Sequence, residues 1–191
     1  MTKSIYFSKF VVTEQVFYRT KHSYALVNLK PLVPGHVLVV PLRKDVIGLS
    51  DLTFEESQDY FNTLQLIQNF IYWQYKADSL NIAIQDGPEA GQSVAHLHTH
   101  IIPRFKMNNI GDQIYEKLDH WNFEDWNKRR EEYLNGGGRD GRRALAKPDD
   151  QRMARTEKQM FQEAIELNTQ LSKYLQEFPE MKKWVTKETS I

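Results

Sequence analysis

The run His96-Leu97-His98-Thr99-His100-Ile101-Ile102 constrains this chain most, because three of its six histidines fall there at alternating positions. A strand puts residues i, i+2 and i+4 on one face, so an extended segment would set three imidazoles in a row. A helix would instead keep His96 and His100 together and turn His98 away. The β-branched Thr99, Ile101 and Ile102 favour the strand, which is predicted over 96–102 and closed by Pro103. Such a row suits chemistry at phosphorus. A neutral imidazole nitrogen is a nucleophile at neutral pH, and its attack divides one hard displacement into two easier ones. The other ring nitrogen needs an acceptor that fixes the tautomer, while neighbouring histidines can donate to phosphate oxygens or the leaving group.

The same spacing suits zinc, which three histidines can ligate, and spacing alone does not separate the two readings. The surroundings lean toward phosphate. Gly91-Gln92-Ser93 lies just upstream and can present backbone N–H groups and a hydroxyl to an anion. No carboxylate is interleaved with the histidines, and Asp86 and Glu89 sit in a turn. The global charge gives no help in holding an anion. With 25 basic and 25 acidic residues, no overall field draws the chain to DNA, RNA or a membrane surface. The absence of cysteine excludes disulfides, thiolate catalysis and cysteine-ligated metal. No signal segment or membrane-length apolar run is visible, so a cytoplasmic location, with the nucleus as a second compartment, is the expectation.

Elements follow from periodicity. Val16–Tyr18 and Ser23–Asn28 read as strands, and His36–Val40 as a strand buried on both faces. Thr53-Phe54-Glu55-Glu56 is a capping box that opens a helix with Tyr60, Leu64, Ile67 and Ile71 on its apolar face. Asn81–Gln85 is another strand, broken by Asp86-Gly87-Pro88. Thr156 and Gln159 cap a last helix with a Met160, Ala164, Leu167, Leu171, Leu175 stripe. Strands, helix, strands and helix in that order predict an α+β fold with a mainly antiparallel sheet, a long helix and a C-terminal helix. Residues 1–118 are the expected catalytic core and 119–151 a flexible, charged, glycine-rich excursion. Residues 152–178 carry the helix that packs on the core, and 179–191 a tail. Arg129, Arg130, Arg139, Arg142 and Arg143 lie in the excursion, where a solvated loop is the plainer reading than a cover for polyphosphate.

The histidine run resembles the motif of the histidine triad family, His-φ-His-φ-His-φ-φ with φ apolar, Thr99 being the one mild departure. Ala25-Leu26-Val27-Asn28, Pro34-Gly35-His36-Val37-Leu38-Val39 and Gln85-Asp86-Gly87-Pro88-Glu89-Ala90-Gly91-Gln92-Ser93 resemble its fragile-histidine-triad branch, as does Ile114-Tyr115-Glu116. The likeness runs from about Phe7 to Leu118, and more weakly through the last helix, and the chain resembles fungal dinucleoside polyphosphate hydrolases. It implies cleavage of ApppA-like or AppppA-like substrates to AMP plus ADP or ATP through a covalent adduct. His98 would attack the α-phosphorus, the His96 carbonyl would orient its ring, His100 would contact phosphate, and His36 would support the triad from behind. Asn28 would bind ribose hydroxyls. Gln85 would reach the bridging or leaving phosphate, and Gly91, Gln92 and Ser93 would clamp phosphate oxygens. Phe7, Val12 and Leu26 would form an apolar purine slot, although plain core is the commoner role for each. The family also implies a homodimer with one continuous sheet, the helix from Thr53 adding to the contact. No resident metal or organic cofactor is implied, only a divalent Mg or Mn ion riding on the substrate phosphates. Two rivals stand beside this reading: a signalling protein whose substrate complex is the message, with Tyr115 as a contact, and a zinc hydrolase.

Overall fold

Two five-residue strands, Ser23–Val27 and Val37–Pro41, are buried at every position, and such strands must be covered on both faces. They form the middle of the sheet in the computed structural model, which describes residues 4–105 and 154–186. In chain order these residues form β1 (Tyr6–Phe7), β2 (Phe10–Val11), β3 (Val16–Arg19), β4 (Ser23–Val27), β5 (Val37–Pro41), α1 (Phe54–Tyr75), β6 (Ser79–Ile84), β7 (Thr99–Arg104) and α2 (Glu157–Glu177). Strands β3-β4-β5-β7-β6 form one antiparallel sheet in that order, and β1 pairs with β2 in a separate hairpin. The architecture is α+β with a mainly antiparallel sheet, a long helix and a C-terminal helix. The excursion expected at 119–151 and the Ile114-Tyr115-Glu116 stretch lie outside the described residues.

The period of two along the central strands sorts the side chains into two layers. Ala25, Val27, Val37, Val39 and Ile101 meet Tyr60, Ile67, Phe70 and Ile71 of α1 and Met160, Ala164, Leu167 and Leu171 of α2 in the main core. Tyr24, Leu26, Leu38 and Val40 point to the opposite face and pack with Ile5, Val12 and Phe7 in a minor core. Each aliphatic or aromatic side chain fully buried in these layers contributes about 1.5–3 kcal/mol of transfer free energy. On α2 the fourth turn is closed by Tyr174 as well as Leu171, while Leu175 is only half-buried.

The strand expected over 96–102 begins later and ends later than its sequence suggests. Thr99–Ile101 pair with β5, and Thr99–Arg104 pair with β6. Before Thr99 the backbone is irregular, because the Leu97 N–H donates to the Val46 carbonyl (2.8 Å), outside any strand. Pro103 does not close the strand but lies within it, opposite Leu80, where among the described residues β7 has a neighbour on the β6 side only. A proline is tolerated where one side of a strand is unpaired.

Helix α1 opens as its capping box predicts: Thr53 Oγ1 accepts from the Glu56 N–H (3.3 Å), and Glu56 Oε2 accepts from the Thr53 N–H (2.9 Å). The Glu56 carboxylate also takes both Arg43 Nε (2.8 Å) and Nη2 (2.8 Å), a bidentate pair that ties the end of β5 to the helix. Glu56 is 8% exposed, and Arg43 above all holds its pKa down at about 2. A carboxylate with a depressed folded pKa contributes stability that is present above its unfolded pKa and lost as pH falls through the folded value. Glu56→Gln is therefore expected to cost on the order of 1–3 kcal/mol at pH 7. Urea denaturation down the pH scale should show the wild type losing this increment between about pH 4.5 and 2, and the variant lacking that loss.

Candidate active site around the histidine row

His100 lies opposite Leu38 of β5 and Ala83 of β6, so its side chain shares the minor-core face of the sheet. Thr99 faces the other way. It is fully buried, and its hydroxyl lies 2.6 Å from the Tyr60 hydroxyl, which donates to the Val39 carbonyl (3.1 Å). With the Tyr60 proton used on Val39, Thr99 donates to Tyr60. The one departure from the apolar pattern of the motif thus anchors the start of β7 to α1. Leu97 is fully buried in the main core with Val46, while His96 and His98 both meet the Phe7 ring on the minor-core side.

The rings form a continuous row. Phe7 stacks on His96 (centroids 5.7 Å) and meets His98 edge-on (5.2 Å). His98 and His100 are 4.9 Å apart, and His100 and His36 5.2 Å. Hydrogen bonds fix which nitrogen of each ring carries the proton. The His96 carbonyl can only accept, so His98 donates to it from Nδ1 (2.8 Å), and His98 Nε2 keeps its lone pair. The Ser8 N–H donates to His96 Nδ1 (3.0 Å), which puts the His96 proton on Nε2. The Leu32 N–H donates to His36 Nδ1 (3.1 Å), so His36 is protonated at Nε2 and donates to His100 Nδ1 (2.9 Å). His100 then carries its own proton on Nε2. Asn28 Nδ2 also lies 3.1 Å from His36 Nε2, but there two donors meet; the Asn28 Oδ1 accepts from the Lys30 N–H (3.1 Å).

Burial sets the charge. It lowers the His98 pKa against the opposing pull of the His96 carbonyl, and it pushes His96 down to about 4 against the carbonyls of Pro41 and Arg43. Desolvation disfavours the charged imidazolium, so both rings are neutral at neutral pH. The row therefore combines one buried, unprotonated nucleophilic nitrogen with a proton donor beside it.

This orientation does not fit zinc. The His96 and His100 lone pairs are taken by the Ser8 N–H and His36 Nε2–H, leaving His98 alone with a free lone pair. Among the described residues no three histidine, aspartate or glutamate side chains are arranged to hold an ion.

The other expected residues divide. Gly91 has φ +89°, and the Gln85 amide lies so close that a Cβ at Gly91 would stand 2.6 Å from Gln85 Nε2. Gln85 and Gly91 are thus brought together. Ser93 is half-buried on the irregular approach to the triad. Gln92 corrects the expectation: it is 1% exposed and its Nε2 donates to the Ile47 carbonyl (2.8 Å), so the amide braces a loop and is not free to clamp phosphate. Phe7 reaches the triad directly. Val12 and Leu26, 4% and 2% exposed, lie behind it as members of the minor core. Sequence reasoning missed four contributors: the Ser8 and Leu32 N–H groups, the Tyr60 hydroxyl and Arg155, which reaches the Asn28 carbonyl. Backbone donors carry no side-chain signal, and the Ser8 φ of +53° has no glycine to announce it. Arg155 could have been noticed only as the residue before the α2 capping box.

Comparison with known proteins agrees with the geometry. The HIT domain model matches residues 9–107, just over half of the chain. The chain is 57% identical to the bis(5'-adenosyl)-triphosphatase of Saccharomyces cerevisiae over 97% of its length and 100% of the relative's. It is 52% identical to the asymmetrical bis(5'-nucleosyl)-tetraphosphatase of Schizosaccharomyces pombe over 62% of this chain and 65% of that one. Among solved structures it resembles the C. elegans NitFhit protein (TM-score 0.60, 29% identity, 89% of this chain and 31% of that chain). It also resembles the Plasmodium falciparum diadenosine triphosphate hydrolase (TM-score 0.58, 27% identity, 93% and 87%). The row of four coupled histidines, the antiparallel sheet that carries it and these likenesses lead to one conclusion: the chain belongs to the HIT domain family, in its fragile-histidine-triad branch.

Proposed function

We propose that the chain hydrolyses dinucleoside polyphosphates such as ApppA and AppppA to AMP plus ADP or ATP, by two displacements at the α-phosphorus through an adduct on His98. The observation that carries this reading is the His98 hydrogen bond to the His96 carbonyl, which leaves Nε2 as a neutral, buried nucleophile. In the first step the Nε2–P bond forms as the P–O bond to the ADP or ATP portion breaks. The imidazole becomes cationic, and the His96 carbonyl on its Nδ1–H stabilises that charge. The leaving nucleotide departs as an anion; a divalent cation, Mg or Mn, bound through the substrate phosphates would share its charge. In the second step water attacks phosphorus, the N–P bond breaks, a proton goes to solvent and AMP is released. The enzymes named as relatives act on triphosphate and tetraphosphate dinucleotides, which supports the substrate class.

Around this centre His100 Nε2–H holds a non-bridging oxygen, and His36 keeps that proton in place through its bond to His100 Nδ1. Gln85, the Gly91 backbone and Ser93 receive the remaining phosphate oxygens, and Asn28 takes the ribose hydroxyls. Phe7 walls the purine slot with Val12 and Leu26 behind it. A second copy of the chain completes the particle. Among the described residues β6 is the outer strand of the sheet with no strand on its far edge, Ile82 on it is 44% exposed, and α1 exposes Phe61 and Tyr72. Pairing of two β6 edges would extend the sheet across a dimer and cover these groups.

His98→Ala is expected to lower kcat by about 10³-fold or more while retaining nucleotide binding. A base quench should trap an acid-labile nucleotidyl adduct on the wild type alone. Turnover near normal in the variant would overturn the mechanism, and failure of the wild type to cleave any dinucleoside polyphosphate would overturn the substrate class. Ile82→Asp at the β6 edge is expected to convert a dimer to a monomer in light scattering at micromolar concentration; a wild-type monomer would contradict the shared sheet.

A further inference from the structure

The loop from Asn28 to His36 joins β4 to β5 and holds two members of the site at its ends. A loop that must place one side chain for a ribose and another for a catalytic ring needs to be fixed from outside, since its own backbone makes few bonds. Two elements far apart in sequence grip it. At the His36 end, Gly35 has φ +83° and lies so tightly on the Tyr75 ring at the close of α1 that a Cβ would stand 2.7 Å from it. At the Asn28 end the grip is Arg155, immediately before the Thr156 cap of α2.

Arg155 binds the loop through main chain and side chain together. Its N–H donates to the Leu29 carbonyl (2.9 Å), and its Nε and Nη2 both donate to the Asn28 carbonyl (3.1 and 2.5 Å). The remaining face of the guanidinium, at Nη1, is held by Glu163, two turns along α2. Arg155 and Glu163 side chains are 21% and 20% exposed, so the pair is largely removed from water. Glu163 also acts on the Tyr75 hydroxyl, which joins the two grips. An arginine fork that donates twice to one carbonyl, with its third corner tied to a carboxylate, fixes direction as well as distance.

We propose that Arg155 is a positioning residue for the reaction, and that the Glu163–Arg155 pair sets how the Asn28 side chain meets the ribose. This rests on the reading of Asn28 as the ribose-binding residue given above. The residues matched by the HIT domain model end at 107, so this part of the nucleotide site is built by a segment beyond them. Among the described residues Arg155 bonds to Asn28, Leu29 and Glu163 and to none of the histidines, so its influence falls on binding and on sugar discrimination. Among the described residues its paths to the chemistry are indirect, through the Asn28 contact with His36 and through Glu163 and Tyr75 to Gly35 beside His36.

The test uses full-length wild type, Arg155→Ala, Arg155→Lys and Glu163→Gln, assayed for ApppA hydrolysis and for binding of AMP against its 2'-deoxy and 3'-deoxy analogues. Arg155→Ala is expected to raise KM about 10-fold while kcat changes less than about threefold, and to reduce the preference for ribose over deoxyribose by a similar factor. Arg155→Lys keeps the charge but not the fork and should recover only part of this, and Glu163→Gln should shift the sugar preference in the same direction. A thermal melt accompanies each variant, because loss of stability alone lowers the melting temperature without changing the ribose-to-deoxyribose ratio. A ratio equal to wild type in Arg155→Ala, with wild-type turnover intact, overturns the positioning role alone. A wild type that binds AMP with no sugar preference overturns the assignment of Asn28, and this inference with it.

Discussion

The bond from His98 Nδ1 to the His96 carbonyl is only 2.8 Å long and spans two residues, yet the site depends on it. An imidazole in water exchanges between tautomers and between neutral and charged forms. Here one acceptor decides the tautomer, and burial decides the charge. Because the acceptor is a backbone carbonyl, its position is set by the path of the chain at 96–98. That path is set in turn by the burial of Leu97 and its N–H bond to Val46. The irregular approach to β7 is therefore part of the chemistry. A regular strand would spend the carbonyls before Thr99 on its neighbours, whereas here the His96 carbonyl meets the His98 ring.

The rest of the molecule can be understood as support for that row. Helix α1 closes the main core, and through Tyr60 it holds Thr99 at the first residue of β7. The β1–β2 hairpin covers the minor core and brings Phe7 and the Ser8 N–H to the triad. Helix α2 contributes apolar surface at Met160, Ala164, Leu167 and Leu171, and the residue just before its cap, Arg155, grips the Asn28 carbonyl. Each element thus has one packing duty and one polar contact that reaches the site.

Much of this was legible in the sequence, for identifiable reasons. The capping boxes at Thr53 and Thr156 state their helices outright, because the reciprocal bonds need those residue types at that spacing. The continuous apolar run from His36 to Val40 foretold a strand covered on both faces, and Ser23–Val27 proved to be buried at every position as well. The histidine spacing foretold a shared face for the triad, which holds although only His100 lies in the strand proper. What stayed hidden were effects carried by the backbone or by distant partners. Pro103 looked like a stop because a sequence does not show that β5 ends before it. The resemblance implied Gln92 as a phosphate ligand, while the Ile47 carbonyl that captures its amide is 45 residues away and invisible to a local pattern. The hairpin strands β1 and β2 are two residues each, too short for any period to register.

The central claim is that His98 is neutral with its proton on Nδ1, while His36 and His100 carry theirs on Nε2. Two-dimensional ¹⁵N–¹H NMR of the histidine side chains at neutral pH reads this directly, because protonated and unprotonated ring nitrogens resonate in separate ranges. The account predicts a protonated-type Nδ1 and an unprotonated-type Nε2 for His98, the reverse for His36 and His100, and no imidazolium signature at His98. A His98 ring protonated at Nε2, or on both nitrogens, would contradict it, because the nitrogen assigned to attack phosphorus would then have no lone pair.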